Sequence, residues 1–261
     1  KLQIIADFDF TLTKFLNDSR QRSFSCHAVI EENQYVAEEY RKLSIGLFHY
    51  YYPIETSSTL SIEEKIPHMV EWVNKAHDLM VERSGLTQSM IKLIVSEALQ
   101  AKKISLRNGV TNYLNTLISN EIPILIFSAG LGDVIEEIFH QNNIRVDSNS
   151  SLYVVSNHMK FTNDRLTGFT SPSYHVFNKT ASSALHNSFF QHHDLEHRKN
   201  LILLGDSLGD VTMSDGLNIL EDSTIKIGFL NDKAERILDY LEVYDVVILG
   251  DPDFRVPTDI L

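Results

Sequence analysis

Cysteine is almost absent from this chain of 261 residues, in which Cys26 stands alone. A single cysteine excludes a disulfide within the chain and is typical of a reducing compartment. Long apolar runs are also missing, so the sequence predicts no membrane-spanning segment, and its first residues have no signal-peptide pattern. We therefore expect a cytoplasmic protein without a membrane partner.

Positive charge is scarce as well. The chain has 23 lysines and arginines against 35 aspartates and glutamates, which gives a formal net charge of −12. A surface that binds nucleic acid normally needs a basic stripe, so we expect no nucleic acid polymer as a partner. An acidic chain can still bind a small anion where a cation and a lysine meet in one pocket. The remaining composition is that of a globular protein, and the length allows one or two domains.

Two carboxylates follow directly on the first apolar run. Residues 2–6 read as a short buried strand, and Asp7 and Asp9 come where that strand ends. Side chains at positions i and i+2 of an extended chain share a face, so these carboxylates repel each other unless a cation is paired with them. Oxygen ligands suit Mg²⁺. The alternative is an ordinary aspartate pair that caps a helix, and these residues alone leave both interpretations open.

Helical spacing replaces strand-like runs between residues 15 and 106. Val36, Tyr40 and Leu43 recur at helical intervals, and Ser61 and Glu64 have the spacing of a capping box. From residue 108 onward, buried strands alternate with helices, and residues 158–177 have the pattern of a small β-hairpin. The sequence therefore predicts an α/β fold, a doubly wound parallel sheet built from residues 1–14 and 107–261. Residues 15–106 form an inserted helical cap domain in this interpretation.

Polar side chains stand just past the ends of three predicted strands. They are Asp7, Ser128 and Asp206, which come from distant parts of the chain. In open α/β sheets, ligands bind at the carboxyl ends of the strands. We therefore expect these three side chains to meet at one edge of the sheet.

Residues 7–11 (DFDFT) resemble the DxDxT signature of the haloacid dehalogenase superfamily, whose members mostly hydrolyse phosphate esters through an aspartyl-phosphate. Six further stretches resemble the cytosolic 5′-nucleotidase III family, in the same order and at similar spacing: YYPIE (51–55), PHMVEW (67–72), FSAGLGD (127–133), FNK (177–179), LGDSLGD (204–210) and KIGFLND (226–232). The resemblance implies a Mg²⁺-dependent 5′-nucleotidase that converts nucleoside 5′-monophosphates (CMP, UMP or 7-methyl-GMP) to nucleoside and phosphate. It also implies a helical segment ahead of residue 1, and we expect a monomer.

Phosphate-ester hydrolysis assigns a role to each acidic residue. Asp7 is the expected nucleophile, because a carboxylate stays ionised near neutral pH without a partner base. Asp9 is the expected general acid for the leaving sugar oxygen, and later the base for water. Mg²⁺ is expected between Asp7, the backbone carbonyl of Asp9, and Asp206. Asp210 is expected to lie outside the direct ligands of the metal, where it holds a metal-bound water or positions Lys179.

The phosphate and the base need their own partners. Ser128 and the backbone N–H of Ala129 are expected to bind a phosphoryl oxygen, aided by the helix that follows. Lys179 offsets the remaining negative charge. In the resembled family the glutamate of the Tyr-Pro-Ile-Glu stretch contacts the nucleobase, which implies that role for Glu55.

Each of these residues also has an ordinary structural interpretation. Taken alone, Ser128 fits a helix cap, Lys179 fits a solvated surface lysine, and the Gly-Asp turn that carries Asp206 and Asp210 fits an ion-free turn. Their common order along the chain favours the catalytic interpretation. The three histidines at positions 192, 193 and 197 lie in a polar loop without a suitable carboxylate pattern, so we expect no metal there.

The base preference is left open. Family members carry an aromatic residue directly after the Glu-Trp pair, where it packs against the base, and this chain has Val73 at that position. Pro53 and residues 75–77 resemble the 7-methylguanosine branch, whereas the Ser-Cys-His run at residues 25–27 resembles the pyrimidine branch.

Two other functions compete with a nucleotidase. A phosphatase for a non-nucleotide metabolite such as phosphoserine needs the same core under a similar cap. A phospho-acceptor signalling module also joins Asp, Ser or Thr, and Lys on a doubly wound sheet. Such modules are shorter, however, and have no use for an insert of about ninety residues.

Overall fold

The computed structural model describes residues 1–57, 59–146, 150–184, 189 and 195–261. Its centre is a six-stranded sheet in the order β3-β2-β1-β6-β7-β8, in which neighbouring strands are parallel. A two-stranded antiparallel sheet, β4-β5, forms the predicted hairpin. The strands are β1 (Leu2–Ala6), β2 (Ile124–Leu131), β3 (Leu152–Asn157), β4 (Met159–Thr162), β5 (Arg165–Phe169), β6 (Asn200–Gly205), β7 (Thr224–Leu230) and β8 (Val246–Leu249). The predicted fold class is confirmed.

Strand β1 lies in the middle of the sheet and is buried on both faces. Ile4 and Ala6 belong to one apolar cluster, whereas Ile5 belongs to a second cluster. Successive side chains of a strand point to opposite faces, so this division shows that both faces of the sheet are covered. Full coverage explains why Ile4, Ile5 and Ala6 form a continuous apolar run. The side-chain amide of the buried polar residue Gln3 donates to the carbonyl of Arg198 at 2.7 Å.

Five of the described helices lie between β1 and β2. The first four make up the helical insert: α1 (Cys26–Glu31), α2 (Glu38–Glu55), α3 (Ile62–Arg83) and α4 (Gln88–Gln100). The predicted capping box begins α3, where Ser61 accepts from the Glu64 N–H and the Glu64 carboxylate accepts from the Ser61 N–H at 2.8 Å. Helices α2 and α3 pack together, with the ring of Tyr51 stacked on Trp72 at 5.7 Å. The other helices are α5 (Val110–Ser119), α6 (Gly132–Gln141), α7 (Ala181–Ala184), α8 (Ile237–Leu241) and α9 (Arg255–Ile260).

The chain enters and leaves this group of helices at one place. Thr13 and Leu106 form an antiparallel bridge, and the N–H of Lys14 donates to the carbonyl of Ser105 at 2.9 Å. The predicted cap limits, residues 15 and 106, fall at this two-stranded ribbon. The assignment of residues 15–106 to a separate domain stays a prediction.

The helical insert also packs on the sheet and its helices. Val29 of α1 and Ile94 of α4 share an apolar cluster with Val134 of α6. The hairpin lies against the insert as well, because Phe169 stacks on His77 of α3 at 3.8 Å. Across the described ranges, the structure contains no helix whose length and apolar content would let it cross a lipid bilayer.

Candidate active site

Three carboxylates meet at the carboxyl ends of β1 and β6. Asp7 follows β1, and its N–H donates to the carbonyl of Leu204 in the neighbouring strand at 2.9 Å. One carboxylate oxygen from each of Asp7, Asp206 and Asp210 lies within 4.8 Å of the others. The two predicted strand-end aspartates are therefore neighbours, and Asp210 joins them.

Lys179 reaches into this group from a distant part of the chain. Its Nζ lies 2.6 Å from Oδ1 of Asp7 and 2.8 Å from Oδ1 of Asp210. Burial alone would lower the pKa of Lys179, but the carboxylates of Asp210 and Asp7 outweigh burial and raise the pKa. Only 3% of the residue is exposed, so Lys179 is a buried charged group and not a solvated surface lysine.

A tight turn after β6 holds Asp206 and Asp210. Oδ2 of Asp210 accepts from the backbone N–H groups of Asp206 at 3.1 Å and Ser207 at 2.9 Å. A Cβ added at Gly205 would lie 2.4 Å from the Cβ of Asp210, so only glycine fits there. The hydroxyl of Tyr240 donates to the carbonyl of Asp206 and fixes the turn from outside. This network orients Asp210 toward Lys179, one of the two roles expected for it.

The negative charge of this group exceeds what one lysine neutralises. Burial raises the pKa of Asp7 to about 7 against the opposing effect of Lys179. Burial, together with the carboxylates of Asp7 and Asp210, raises the pKa of Asp206 well above its ordinary value. Carboxylate oxygens so closely spaced are hard donors of the kind that Mg²⁺ prefers. The donor set therefore fits a divalent cation.

Asp9 faces the first helix of the insert. The backbone N–H of Cys26 donates to both of its carboxylate oxygens, at 3.0 and 3.2 Å. Burial raises the pKa of Asp9 to about 6, although the hydrogen bonds from Cys26 oppose the shift. The sequence marked Cys26 as a lone thiol and as part of the Ser-Cys-His run, but no side-chain pattern identifies its backbone N–H as a donor.

Ser128 lies inside β2, which corrects the expectation that this strand ends at Phe127. The strand runs to Leu131 through an irregularity in its pairing with β3. Two side chains of β3 stabilise this extension: Asn157 donates to the carbonyl of Ala129 at 2.8 Å, and Ser156 donates to that of Gly130 at 2.7 Å.

The extension of β2 also settles the alternative role of Ser128. Its hydroxyl accepts from the N–H of Gly130 at 3.0 Å. Helix α6 begins at Gly132 with Leu131 as its N-cap, so Ser128 does not cap that helix. The helix start lies beyond Ser128 and Ala129, which belong to the irregular end of β2. A Cβ added at Gly130 would lie 3.1 Å from the Ser128 hydroxyl and 3.2 Å from Oδ2 of Asp9, so this strand end approaches Asp9.

Glu55 is the last residue of α2 and is half-buried. Burial raises its pKa to about 7, and the nearby cations Arg22, Lys179 and Lys65 oppose the shift. No hydrogen bond to its carboxylate is formed by the residues that the structure describes. The charges of Lys179 and Asp210 both act on Glu55, so its carboxylate lies on the side of the insert that faces the cluster of Asp7, Asp206 and Asp210, across a cleft between insert and sheet. Val73, on α3, is half-buried.

Two arginines of the site were not anticipated. Arg107 donates to the carbonyls of Phe10 at 2.6 Å and Thr11 at 2.8 Å, and so holds the loop after Asp9. Arg22 lies over the rings of that loop and of α2. An isolated arginine between helical segments has no local pattern that separates it from a surface residue. Of the three histidines, 192 and 193 lie outside the described residues, so the expectation of no metal there stays a prediction.

Comparison with known proteins places this arrangement in context. Residues 10–261 match the family model described as pyrimidine 5′-nucleotidase (UMPH-1). The 7-methylguanosine phosphate-specific 5′-nucleotidase A of Xenopus laevis is 42% identical over 263 residues, which span 100% of this chain and 87% of that protein. The 7-methylguanosine phosphate-specific 5′-nucleotidase of Homo sapiens is 39% identical over 100% of this chain and 84% of that protein.

Solved structures give the same result at the level of the fold. The crystal structure of cytosolic 5′-nucleotidase IIIB bound to cytidine has a TM-score of 0.82 and 31% identity, and the match covers 98% of this chain and 83% of that one. A substrate-bound phosphoserine phosphatase has a TM-score of 0.56 and 16% identity over 100% of this chain and 99% of that one, which shows a shared fold alone.

Proposed function

This chain belongs to the pyrimidine 5′-nucleotidase (UMPH-1) family and is a 5′-nucleotidase, and we propose that it hydrolyses CMP, UMP or 7-methyl-GMP with Mg²⁺ through an aspartyl-phosphate. The observation that carries the proposal is the contact of Lys179 with Asp7 and Asp210 beside Asp206. It joins a buried nucleophile, a cation and a metal-binding donor set at one edge of the sheet.

Asp7 is the nucleophile in this proposal. Its carboxylate oxygen forms a bond to phosphorus while the bond from phosphorus to the sugar oxygen breaks. Lys179 contacts Oδ1 of Asp7 and orients the carboxylate. The second oxygen of the carboxylate is left to attack phosphorus.

Asp9 transfers the proton. Its carboxyl group follows Asp7 by two residues and lies against the start of α1, where the Cys26 N–H holds it. It donates a proton to the departing sugar oxygen, and as a carboxylate it then takes a proton from the water that attacks the aspartyl-phosphate. Acid–base help of this kind typically contributes about 10²–10⁴ in rate.

The phosphoryl oxygens need donors that are already in place. The Ser128 hydroxyl, the Ala129 N–H and the Lys179 ammonium supply them at the end of β2 and from the loop before α7. Mg²⁺ would be held by Asp7, the backbone carbonyl of Asp9, and Asp206, and would neutralise charge on the phosphoryl group. Asp210 orients Lys179 through the 2.8 Å contact.

Glu55 is the proposed reader of the base. A half-buried carboxylate with a raised pKa and no hydrogen bond within the described residues gains most from a ligand that donates to it. Cytosine offers an amino group and guanine offers an N1–H and an amino group. Adenine offers an amino group without an adjacent ring N–H, so the base of AMP satisfies Glu55 less well than guanine does.

The insert, as a cap, closes the substrate between Glu55 and the phosphate site. We further propose that the protein is a cytoplasmic monomer. A putative cytosolic 5′-nucleotidase 3 from Caenorhabditis elegans is among the relatives, at 34% identity.

A substrate panel tests the proposed function. Phosphate release is measured with Mg²⁺ for CMP, UMP, 7-methyl-GMP, AMP and phosphoserine. We expect CMP and 7-methyl-GMP to exceed AMP and phosphoserine in kcat/KM. Preference for phosphoserine would overturn the proposal in favour of a metabolite phosphatase. In a second arm, Val73→Trp should lower KM for 7-methyl-GMP, because stacking on a base contributes about 1–3 kcal/mol.

A further inference from the structure

Arg22 is a cation in the cleft to which the proposed mechanism gives no role. Its guanidinium carbon lies 5.0 Å from the ring centroid of Phe10, 5.4 Å from that of Phe15 and 5.2 Å from that of Tyr52. Nη1 donates to the hydroxyl of Tyr52 at 2.9 Å. The side chain is exposed, but one hydrogen bond and three rings hold its charged end in place.

These contacts place the cation between the two ends of the substrate cleft. Phe10 directly follows Asp9, the proposed acid. Tyr52 and Glu55 are three residues apart on α2, so they share one side of that helix. Arg22 therefore joins the loop after Asp9 to the helix side that carries Glu55.

The other charges around Glu55 are already engaged. Lys179 is held by Asp7 and Asp210, and the Lys65 ammonium donates to the carbonyl of Ser57. Asp210 is the acidic group that acts on Glu55 from the sheet side. Arg22, by contrast, forms no ion pair with any residue in the described part of the chain. Its charge acts on the carboxylates of Asp9 and Glu55, and so it also acts on whatever occupies the cleft between them.

We propose that Arg22 selects bases by their charge, favouring neutral bases such as cytosine and weakening the binding of 7-methylguanine. The methylated imidazole ring of 7-methylguanine carries a positive charge, which Arg22 repels. Two unit charges about 7 Å apart in a half-solvated cleft change affinity about five- to tenfold. Val73 supplies no aromatic face that would attract a cationic base in compensation. The inference rests on the proposed function, because it takes the base to lie at Glu55.

Nucleoside binding tests this inference directly. Dissociation constants for guanosine and 7-methylguanosine are measured by calorimetry just below neutral pH, where 7-methylguanine is cationic. The two nucleosides share one base-pairing edge, so their affinity ratio isolates the methyl group and its charge. Arg22→Gln should raise the relative affinity for 7-methylguanosine about five- to tenfold. Arg22→Lys keeps the charge and should keep most of the wild-type ratio.

Arg20→Gln is the matched control, because Arg20 is exposed on the same loop and its loss changes the net charge equally. It should leave the ratio unchanged. A ratio in Arg22→Gln within about twofold of wild type would overturn the inference, as would an equal change in Arg20→Gln. Phosphate release from CMP and 7-methyl-GMP is measured on the same proteins. Wild-type protein that binds both nucleosides but releases no phosphate would refute the proposed function, while the binding ratios would still decide the role of Arg22.

Discussion

Nη1 of Arg107 lies 2.6 Å from Oδ1 of Asp251, and this buried ion pair ties the loop after Asp9 to the segment after β8. Arg107 also donates to the carbonyls of Phe10 and Thr11. The acidic partner, Asp251, also accepts a hydrogen bond from the backbone N–H of Phe15 at 2.9 Å. Both chain connections to the helical insert therefore meet at one buried guanidinium.

Arg107→Met should destabilise the protein strongly. It would leave the Asp251 carboxylate and two loop carbonyls without their donor, and breaking a buried pair typically costs about 3–5 kcal/mol. Urea denaturation measures the change in the free energy of unfolding. Lys102→Met is the control, because Lys102 pairs with Asp18 on the exposed surface and should matter little. Equal effects of the two variants would show that Arg107 is not a structural centre of the loop.

Asp7→Asn should abolish phosphate release and leave the protein folded. The amide cannot form the aspartyl-phosphate, and removing one of three crowded carboxylates relieves repulsion with Asp206 and Asp210. The thermal midpoint without metal should therefore be no lower than that of wild type. A variant that retained more than about a hundredth of the wild-type rate would contradict the role of Asp7 as nucleophile.

Mg²⁺ should stabilise the folded protein as well as activate it. Binding to the native state alone adds about 2.7 kcal/mol at a ligand concentration 100 times Kd, which a thermal scan detects without any turnover. Asp206→Asn should lose that shift, and a chelator should silence the wild type until Mg²⁺ is restored. Full activity in excess chelator is the result that rules out this site.

Gly205→Ala should disrupt the site by displacing Asp210. The added Cβ would lie 2.4 Å from the Cβ of Asp210 and displace its carboxylate from Lys179. Activity and stability should both fall. Gly46→Ala in α2 is the control, since nothing lies within 4 Å of a Cβ there. In a helix interior that change should stabilise by about 0.5–1 kcal/mol. Wild-type activity in Gly205→Ala would refute the close packing of this turn.

Glu55→Gln should stabilise the protein above pH 7 and matter less near pH 4.5. Burial raises the pKa of Glu55 from 4.5 to about 7, so the folded state binds the proton more tightly than the unfolded state. The contribution of the Glu55 carboxyl group to the free energy of unfolding is therefore fully present below pH 4.5, and it is lost as the pH rises through 7. Chemical denaturation of the wild type and the variant at pH 4.5 and above pH 7 measures the difference in their free energies of unfolding and checks its sign. A gain that does not depend on pH would show that Glu55 does not titrate in the cleft.

The sequence predicted those parts of the fold that depend on local patterns. Buried apolar runs identify the strands, and the strand ends identify Asp7 and Asp206. The continuation of β2 to Leu131 was missed, because side chains of β3 hold it and no pattern within β2 shows this. The contact of Arg107 with Asp251 joins residues 144 positions apart, beyond the reach of any local signal. The predicted features depend on residues that are close together in the sequence, whereas the missed features depend on contacts between distant segments.

Strand β1 pairs with β6 along its whole length, and the first pair, Leu2 with Asn200, joins positions 198 residues apart (200 − 2 = 198). A ribosome adds about 5–20 residues per second, so β1 waits about 10–40 s for this neighbour. During that time an apolar strand exposes an unpaired edge, which other chains can join. Asp7 is likewise synthesised long before Asp206 and Asp210. Early burial against the helical insert would shorten this exposure, whereas slower translation would lengthen it.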